Sequence, residues 1–262
     1  MPVLYEKHNH VGYLTFSRPD ARNCWGPDYN EELPARCEAI AADDDVRAVV
    51  LTGDERGGAF SAGANIRDPK THGPETAADF IKGLAKKPRY AGTALIELDK
   101  PVLCAVNGFA VGIGAIVTVC CDMIIASERA EWRLPQVALG IMPNHAGAVR
   151  MAQWMGKGNA MKLAMGYPLK AEEAHRLGLA QWLVPHDLLM AEASTIAERL
   201  AGLPPLATRI TKESLNRGLD NPNLADAAHL DLYRQALLSM SEDAQESHAA
   251  WREKRKPAFK GA

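Results

Sequence analysis

One stretch of the chain, residues 102–121, restricts the possible fold more than any other. It is almost wholly apolar and about as long as a membrane-spanning helix. Asn107 interrupts the stretch, three glycines follow that residue, and Asp122 closes the run. Because asparagine and glycine favour turns, the pattern predicts a buried strand, a turn and a buried helix, and it argues against a membrane span.

Short strand-forming and helix-forming segments alternate around this stretch. Two β-rich segments, 3–7 and 11–16, are joined by the polar pair Asn9 and His10 and predict a hairpin. Further strands are predicted at 46–52, 102–106 and 123–126, and a glycine-rich loop at 53–63. Helices are predicted at 27–42 with a kink at Pro34, at 77–98 with a break at Pro88, and at 112–121. This alternation predicts an α/β fold with a parallel sheet.

The second half of the chain has a different character. From Ala146 onward the pattern is nearly all helical, apart from a strand at 181–184. Residues 202–205 (Gly-Leu-Pro-Pro) separate two of the helices. The predicted organisation is therefore an α/β core over residues 1–200 and a helical C-terminal region over residues 201–262.

The charge and cysteine content exclude several classes of protein. Thirty basic and 32 acidic residues give a net charge of −2, so the excess positive charge that drives nucleic-acid binding is missing. Residues 252–260 form the one basic cluster, which is either a solvated helix end or a phosphate contact. Five cysteines without a C-x-x-C spacing indicate a reducing compartment, hence the cytoplasm, and no metal site. The first ten residues contain no apolar segment typical of a secretory signal.

Several motifs in order resemble the enoyl-CoA hydratase/isomerase (crotonase) family. The most specific are Phe60-Ser-Ala-Gly-Ala-Asn-Ile66 and Ala105-Val-Asn-Gly-Phe-Ala-Val-Gly-Ile-Gly114. Weaker matches occur at 18–23, 134–143, 171–179 and 253–259, so the resemblance covers nearly the whole chain. It implies a spiral ββα core, an acyl-CoA thioester as substrate, and a homotrimer or hexamer. The sequence contains no metal-ligand spacing and no G-x-G-x-x-G turn, so no metal or redox cofactor is indicated, and coenzyme A would enter as part of the substrate.

The resemblance also assigns residues to an oxyanion hole and to coenzyme A binding. The backbone N–H groups of Ala64 and Ile113 would bind the thioester oxygen, and the helix dipole would assist Ile113. Relatives usually have glycine at the position of Ile113, so its side chain is expected to reshape the hole. The backbone around Ala62, Ala64 and Ile66 would bind the adenine. Phe259 and Lys260 would contact the nucleotide across a subunit interface, unless the tail is merely frayed.

The acid–base residues of the family are absent from this sequence. Family hydratases hold one water between two glutamates, and the corresponding positions here are Ile116 and Gln136. Neither side chain can transfer a proton near neutral pH. The resemblance therefore does not support an ordinary two-glutamate hydration.

His145 is the candidate replacement for these glutamates. We hypothesise that it acts as general acid or base, with Gln136 and Asn144 positioning water or substrate. The alternative is that His145 caps the helix beginning near Ala146 or faces solvent. Other residues that could take part in the site are better explained by structural roles. We expect His72 to be solvated in a loop and His175 and His229 to be structural residues of helices. Trp25 and Tyr90 could line an acyl pocket, but core packing is the expected role. Asn65 stands where the family usually has aspartate.

Three functions remain open on the sequence. The first is an enzyme of acyl-CoA metabolism, a hydratase or lyase, an isomerase, or a hydrolase using His145. The second is a non-catalytic acyl-CoA-binding protein, which the loss of both glutamates favours. The third is a structural subunit that oligomerises with an active relative.

Overall fold

The computed structural model describes residues 2–67, 76–84, 91–220 and 223–262. His72, Pro88 and Tyr90 lie outside these residues. The described strands are β1 (Val3–His8), β2 (Val11–Phe16), β3 (Ala48–Gly53), β4 (Ala59–Ser61), β5 (Val102–Val106), β6 (Phe109–Val111), β7 (Met123–Ser127), β8 (Glu131–Arg133), β9 (Leu169–Lys170) and β10 (Trp182–Val184). The described helices are α1 (Tyr29–Ala41), α2 (Ala77–Leu84), α3 (Ala91–Glu97), α4 (Ile113–Thr118), α5 (Gly147–Met155), α6 (Lys157–Ala164), α7 (Ala171–Arg176), α8 (Leu189–Ala201), α9 (Pro205–Asp220), α10 (Leu224–Ser239) and α11 (Glu242–Glu253).

The larger sheet contains six strands in the order β1-β2-β3-β5-β7-β10. The hairpin β1–β2 is antiparallel and every other pair is parallel, which confirms the predicted α/β fold. Asn9 and His10 both have positive φ, which suits a hairpin turn whose twist matches the flanking strands. The prediction of this hairpin is confirmed.

Alternate residues of the central strands pack against opposite layers. Ala48 and Val50 of β3 contact a layer formed by the small residues of α8, whereas Val49 and Leu51 point into the main core. Because both faces are covered, all six residues of β3 are buried. This strand begins at Ala48, two residues later than predicted.

A smaller sheet of four short strands, in the order β4-β6-β8-β9, was not predicted. In its first pair, Ala59 is aligned with Phe109 and Ser61 with Ala110. Trp132 of β8 is fully buried, and its indole N–H donates to the Thr118 hydroxyl at 3.1 Å. This sheet places the two family motifs side by side.

Two predicted helices differ in detail from the observed ones. Helix α4 ends at Thr118, three residues before the predicted end, and a turn leads into Asp122. Its residues 114–118 are all buried, as predicted. Helix α1 continues through Pro34 as one helix, although the proline removes the hydrogen bond that Asn30 would accept, and the predicted kink stays a prediction.

The C-terminal helices α9 to α11 follow the predicted break at 202–205. Lys212 of α9 is buried and fastens this region to the core. Its ammonium group contacts the Asp122 carboxylate at 2.8 Å and donates to the carbonyls of Leu95 and Lys100 at 3.0 and 2.9 Å. The assignment of residues 201–262 as a separate oligomerisation region stays a prediction.

The C-terminal tail is anchored rather than frayed. Asp243 is buried and accepts hydrogen bonds from the backbone N–H groups of Lys260 and Gly261 at 2.7 and 2.9 Å. Arg47 donates to the carbonyl of Phe259 at 3.0 Å. The tail therefore has a defined position beside the start of β3.

The apolar stretch 102–121 folds into β5, β6 and α4. Within the described ranges, every helix is too short or too polar to cross a bilayer.

Candidate active site

Two glycine-containing loops meet at the end of the smaller sheet. Gly63 has φ +85°, and a Cβ atom on it would lie 2.7 Å from the Val111 carbonyl oxygen. A Cβ on Gly114 would likewise lie 2.7 Å from the Cβ of Ser61. Because real Cβ atoms do not approach other atoms this closely, glycine is required at both positions for the loops to touch.

The first loop presents the backbone of Ala64. Trp25 donates its N–H to the Gly63 carbonyl and accepts from the N–H of Asn65, both at 2.8 Å. In such a parallel bridge the N–H of the residue between, Ala64, points away from Trp25. Within the described part of the chain, the N–H of Ala64 has no hydrogen-bond acceptor.

The second loop presents the backbone of Ile113, the first residue of α4. Gly112 precedes it with φ +55° and donates its own N–H to the Arg133 carbonyl at 2.8 Å. The N–H of Ile113 lies in the first turn, where a helix has no internal acceptor. Among the described residues it also has no other acceptor. The paired strands β4 and β6 thus bring two unpaired N–H groups to adjoining loops.

Ile116 lies on α4, which begins at Ile113, and Gln136 lies next to Gly112, the residue before it. Ile116 is fully buried, and a Cβ on Gly147 would lie 2.5 Å from its Cγ1, so α4 packs directly on the start of α5. Gln136 is partly buried, and its Nε2 lies 3.5 Å from the position of a Cβ on Gly112. Its Oε1 is buried without a hydrogen-bond partner. One side of the site is therefore apolar and the other carries an unpaired carboxamide.

Asn144 and His145 lie in the loop before α5, whose first residue Gly147 packs against Ile116. Both are exposed, and the carbonyl of Asn144 accepts from the N–H of Gly147 at 2.9 Å. His145 and Ala146 have φ of 55° and 56°, a left-handed conformation that is uncommon for residues other than glycine. Ala146 is the N-cap of α5, and no side chain caps the helix there. The exposure of His145 agrees with a solvent-facing side chain, and its capping role stays a prediction.

The predicted coenzyme A contacts fall into two separate places within one chain. Ala62, Ala64 and Ile66 lie on the loop after β4, whose Phe60 packs against Gly53 at the end of β3, and Ile66 is 74% exposed. Phe259 and Lys260 lie beside Arg47, at the beginning of β3. A six-residue strand spans about 20 Å, so the structure does not bring the two groups together in one subunit.

Asn23 belongs to the family match at 18–23, and its side chain holds the segment before the candidate site in place. It is fully buried, and its side-chain amide donates to the carbonyls of Asp54 and Ala59 at 2.9 and 2.8 Å. Its Oδ1 accepts from the N–H of Arg18 at 3.0 Å. These bonds hold the segment that leads from β3 into β4, and hence the position of Ala64.

A hydrogen-bonded chain at the carboxyl edge of the larger sheet was not predicted from the sequence. The His186 ring lies between the Ser127 hydroxyl, 3.0 Å from Nδ1, and the Glu55 carboxylate, 2.8 Å from Nε2. The other Glu55 oxygen accepts from the side chain of Asn107 at 3.1 Å. Ser127 is fully buried, so this Ser-His-Glu arrangement closes the sheet edge and does not offer a nucleophile.

The remaining candidates are structural where they are described. Trp25 is buried and stacks on Tyr29 at 5.0 Å between ring centroids, which confirms core packing. His175 contacts the Ala180 carbonyl at 3.0 Å, and His229 packs against Tyr233 on the surface.

Two of the buried cysteines, Cys37 and Cys120, are poor nucleophiles. Burial raises the pKa of the Cys37 and Cys120 thiols to about 12, which keeps them protonated and unreactive. Among the residues that the structure describes, no three His, Cys, Asp or Glu side chains are grouped to hold a metal ion.

The fold and the site define a class of α/β protein in which a small sheet joins two glycine-containing loops with unpaired N–H groups. The family model for enoyl-CoA hydratase/isomerase matches residues 6–262, and the chain belongs to this family. It is 36% identical over 259 residues to a probable enoyl-CoA hydratase of Rhizobium meliloti, covering 98% of this chain and 97% of the relative. It is 32% identical over 262 residues to the 2,3-dehydroadipyl-CoA hydratase of Escherichia coli, covering 99% and 98%.

Solved structures agree with this assignment. The structure of an enoyl-CoA hydratase subunit from Geobacillus kaustophilus superposes with a TM-score of 0.89 at 35% identity, covering 100% of this chain and 99% of the other. The similarity therefore extends from the sequence motifs to the whole fold.

Proposed function

We propose that the protein binds an acyl-CoA thioester with its carbonyl oxygen between the N–H groups of Ala64 and Ile113. The observation that carries the proposal is the pair of unpaired N–H groups on loops joined through Gly63 and Gly114. Relatives named as enoyl-CoA hydratases support a thioester ligand.

Such a pair of donors favours chemistry at the carbon next to the thioester. When that carbon loses a proton, negative charge moves to the carbonyl oxygen, and donors already in place stabilise it without reorganisation. Removing one donor of this kind typically lowers turnover by about 10²–10³-fold. The protein is therefore proposed to process acyl-CoA thioesters through an enolate.

The reaction is proposed to differ from two-glutamate hydration. At the two glutamate positions of the family, Ile116 offers only apolar surface packed on Gly147, and the Gln136 carboxamide cannot exchange a proton near neutral pH. We assign proton transfer to His145, because it is exposed two residues before Gly147, the residue that touches Ile116. Asn144 lies in the same loop and would position substrate or water.

Coenzyme A is proposed to bind across a subunit interface. The backbone around Ala62, Ala64 and Ile66 of one subunit would bind the adenine of coenzyme A. Phe259 and Lys260 of a neighbouring subunit would contact the same coenzyme A molecule. The separation of these groups by the length of β3 supports this arrangement, as does the anchored tail. A trimer or hexamer, measurable by light scattering, and the cytoplasmic location inferred from the cysteines are part of the same proposal.

The first experiment is mass spectrometry of acyl- and enoyl-CoA thioesters incubated with the protein in deuterium oxide. It reports deuterium uptake next to the carbonyl, addition of water, isomerisation and thioester cleavage together. Uptake or product supports an enolate-forming enzyme, and the product mass identifies the reaction. Thioesters that bind but stay unchanged contradict the enzymatic proposal.

A variant tests the assignment of His145. His145→Ala is expected to lower turnover by roughly 10²–10⁴-fold and to leave thioester binding nearly intact. The matched control is His8→Ala, since His8 is exposed on β1, an edge strand of the larger sheet. Unchanged turnover in His145→Ala rejects this role.

The second candidate function is a non-catalytic acyl-CoA-binding protein. The apolar packing of Ile116 on Gly147 favours it, because it leaves no space at that point for a catalytic water. Tight thioester binding with no deuterium uptake from any substrate is the result expected for this function.

A further inference from the structure

Three neighbouring strands of the larger sheet each lead into a strand of the smaller sheet. The strands β3, β5 and β7 are followed in the chain by β4, β6 and β8, which keep the same order in the smaller sheet. Ala64 follows β4 and Ile113 follows β6, so their N–H groups lie beyond the ends of adjacent short strands. The relative position of the two N–H groups therefore depends on the three connections from which these strands start.

The pairing of β4 with β6 is too short and irregular to set this position alone. Ala59 is aligned with Phe109 and Ser61 with Ala110, so two residues of β4 advance against one residue of β6. An extra residue of this kind disrupts the hydrogen-bond ladder locally. The register of the two strands therefore needs support from contacts outside the ladder.

A chain of side-chain hydrogen bonds supplies such contacts and crosses all three connections. Asn107, between β5 and β6, donates from Nδ2 to Oε2 of Glu55, between β3 and β4, at 3.1 Å. The other oxygen of Glu55 lies 2.8 Å from Nε2 of His186. Nδ1 of His186 lies 3.0 Å from the hydroxyl of Ser127, the last residue of β7. That hydroxyl also accepts from the N–H of Arg129 at 3.0 Å, in the turn that leads to β8.

Glu55 differs from the buried members of this chain. Asn107 and Ser127 are buried, and Asn107 also donates to the Gly53 carbonyl at 2.9 Å. The Glu55 side chain is 66% exposed, yet each of its carboxylate oxygens has a partner. Holding an exposed side chain in one conformation costs entropy, so a carboxylate bound on both sides points to a positioning role.

We propose that Glu55 and His186 are positioning residues that set the spacing between the N–H groups of Ala64 and Ile113. They act through Asn107 and the connections before β4 and β6, and they do not contact the thioester. Without the bridge these connections can shift, and a hydrogen bond from a misaligned N–H group to the carbonyl oxygen is weaker. This inference rests on the proposed binding of the thioester and adds the residues that align its two donors.

The test uses infrared spectroscopy of butyryl-CoA that is isotopically labelled at its carbonyl carbon. Hydrogen bonds to a carbonyl lower its stretching frequency, so the wild-type protein should shift this band downward from its position in the free thioester. We expect Glu55→Ala and His186→Phe each to give a smaller downshift and to weaken binding by roughly threefold to tenfold. Both variants should fold, because Glu55 is exposed and phenylalanine keeps the volume of the His186 ring.

His175→Phe is the matched control for His186→Phe. It also removes a histidine contact, the one to the Ala180 carbonyl at 3.0 Å, but it lies on α7, outside the three connections. It should keep the wild-type downshift and affinity. The double variant of Glu55→Ala and His186→Phe should be no worse than the more damaging single variant, because both residues act through one contact.

The outcomes separate this inference from the proposed function. A wild-type downshift in both single variants, additive losses in the double variant, or an equal loss in His175→Phe overturns the positioning role and leaves thioester binding intact. A wild-type protein that does not bind the thioester, or that binds it without a downshift, overturns the proposed function and this inference with it.

Discussion

Replacing Gly63 by alanine should separate the two loops of the candidate site. Gly63 has φ +85°, so an alanine there costs about 1–2 kcal/mol in backbone conformation. Its Cβ would also lie 2.7 Å from the Val111 carbonyl oxygen, whereas ordinary contact begins at 3.4 Å. The loops must therefore move apart by about 0.7 Å, the difference between those two distances. This movement displaces Ala64 relative to Ile113.

The expected effect on function follows from that displacement. Misplacing a reacting group by about 1 Å can cost roughly 10²-fold in rate, and loss of one donor to an oxyanion costs about 10²–10³-fold. We therefore expect Gly63→Ala to lower deuterium uptake into a thioester substrate by about 10²-fold. Its affinity for the thioester should fall as well, because the carbonyl loses a hydrogen bond.

Gly58→Ala is the matched control for this experiment. Gly58 also has positive φ, +61°, and lies between β3 and β4, but nothing lies within 4 Å of its added Cβ. Both variants should lose the stability that a positive φ costs in urea unfolding, and Gly63→Ala should lose more because of its contact with Val111. Only Gly63→Ala should lose thioester chemistry and affinity. Wild-type deuterium uptake and affinity in Gly63→Ala would refute the reasoning.

Two further predictions concern stability. Lys212→Met leaves a buried carboxylate without its ammonium partner and should cost about 3–5 kcal/mol in urea unfolding, whereas breaking the more exposed ion pair with Lys162→Met should cost about 1 kcal/mol or less. Equal losses in the two variants would contradict the buried pair's role. The Arg56 guanidinium holds the pKa of Asp54 below its usual value. The folded state therefore binds fewer protons than the unfolded state, and the contribution of Asp54 is present above the unfolded pKa of about 3.9 and is lost as pH falls through the folded pKa. Wild type and Asp54→Asn should thus differ most in unfolding free energy near pH 7 and converge in acid, and a difference independent of pH would exclude this linkage.

Strongly apolar segments were predictable because their burial is visible locally. The strand Val102–Val106 was predicted with its observed bounds, since Pro101 and Asn107 limit the apolar run on either side. The hairpin followed from the polar pair between two β-rich segments. In contrast, the strands of the smaller sheet have only two or three residues each, too few for an alternating pattern to be recognised.

The candidate site shows the same division. Resemblance located Ala64, Ile113, Ile116 and Gln136 in the sequence, but it did not reveal that the Gln136 carboxamide would be unpaired. The contact of Glu55 with His186 joins residues 131 positions apart, and no local pattern marks either of them. Such polar contacts depend on which surfaces the packed helices and sheets bring together.

The sequence by itself determined the buried strands, the hairpin, the small-residue helix α4 and the family, because burial and turn formation depend on short-range patterns. Only the tertiary structure decided that the two loops touch through Gly63 and that the tail lies at the far end of β3 from Ala64. These relations join residues far apart in the chain, and they exist only after close packing has selected one arrangement of the elements.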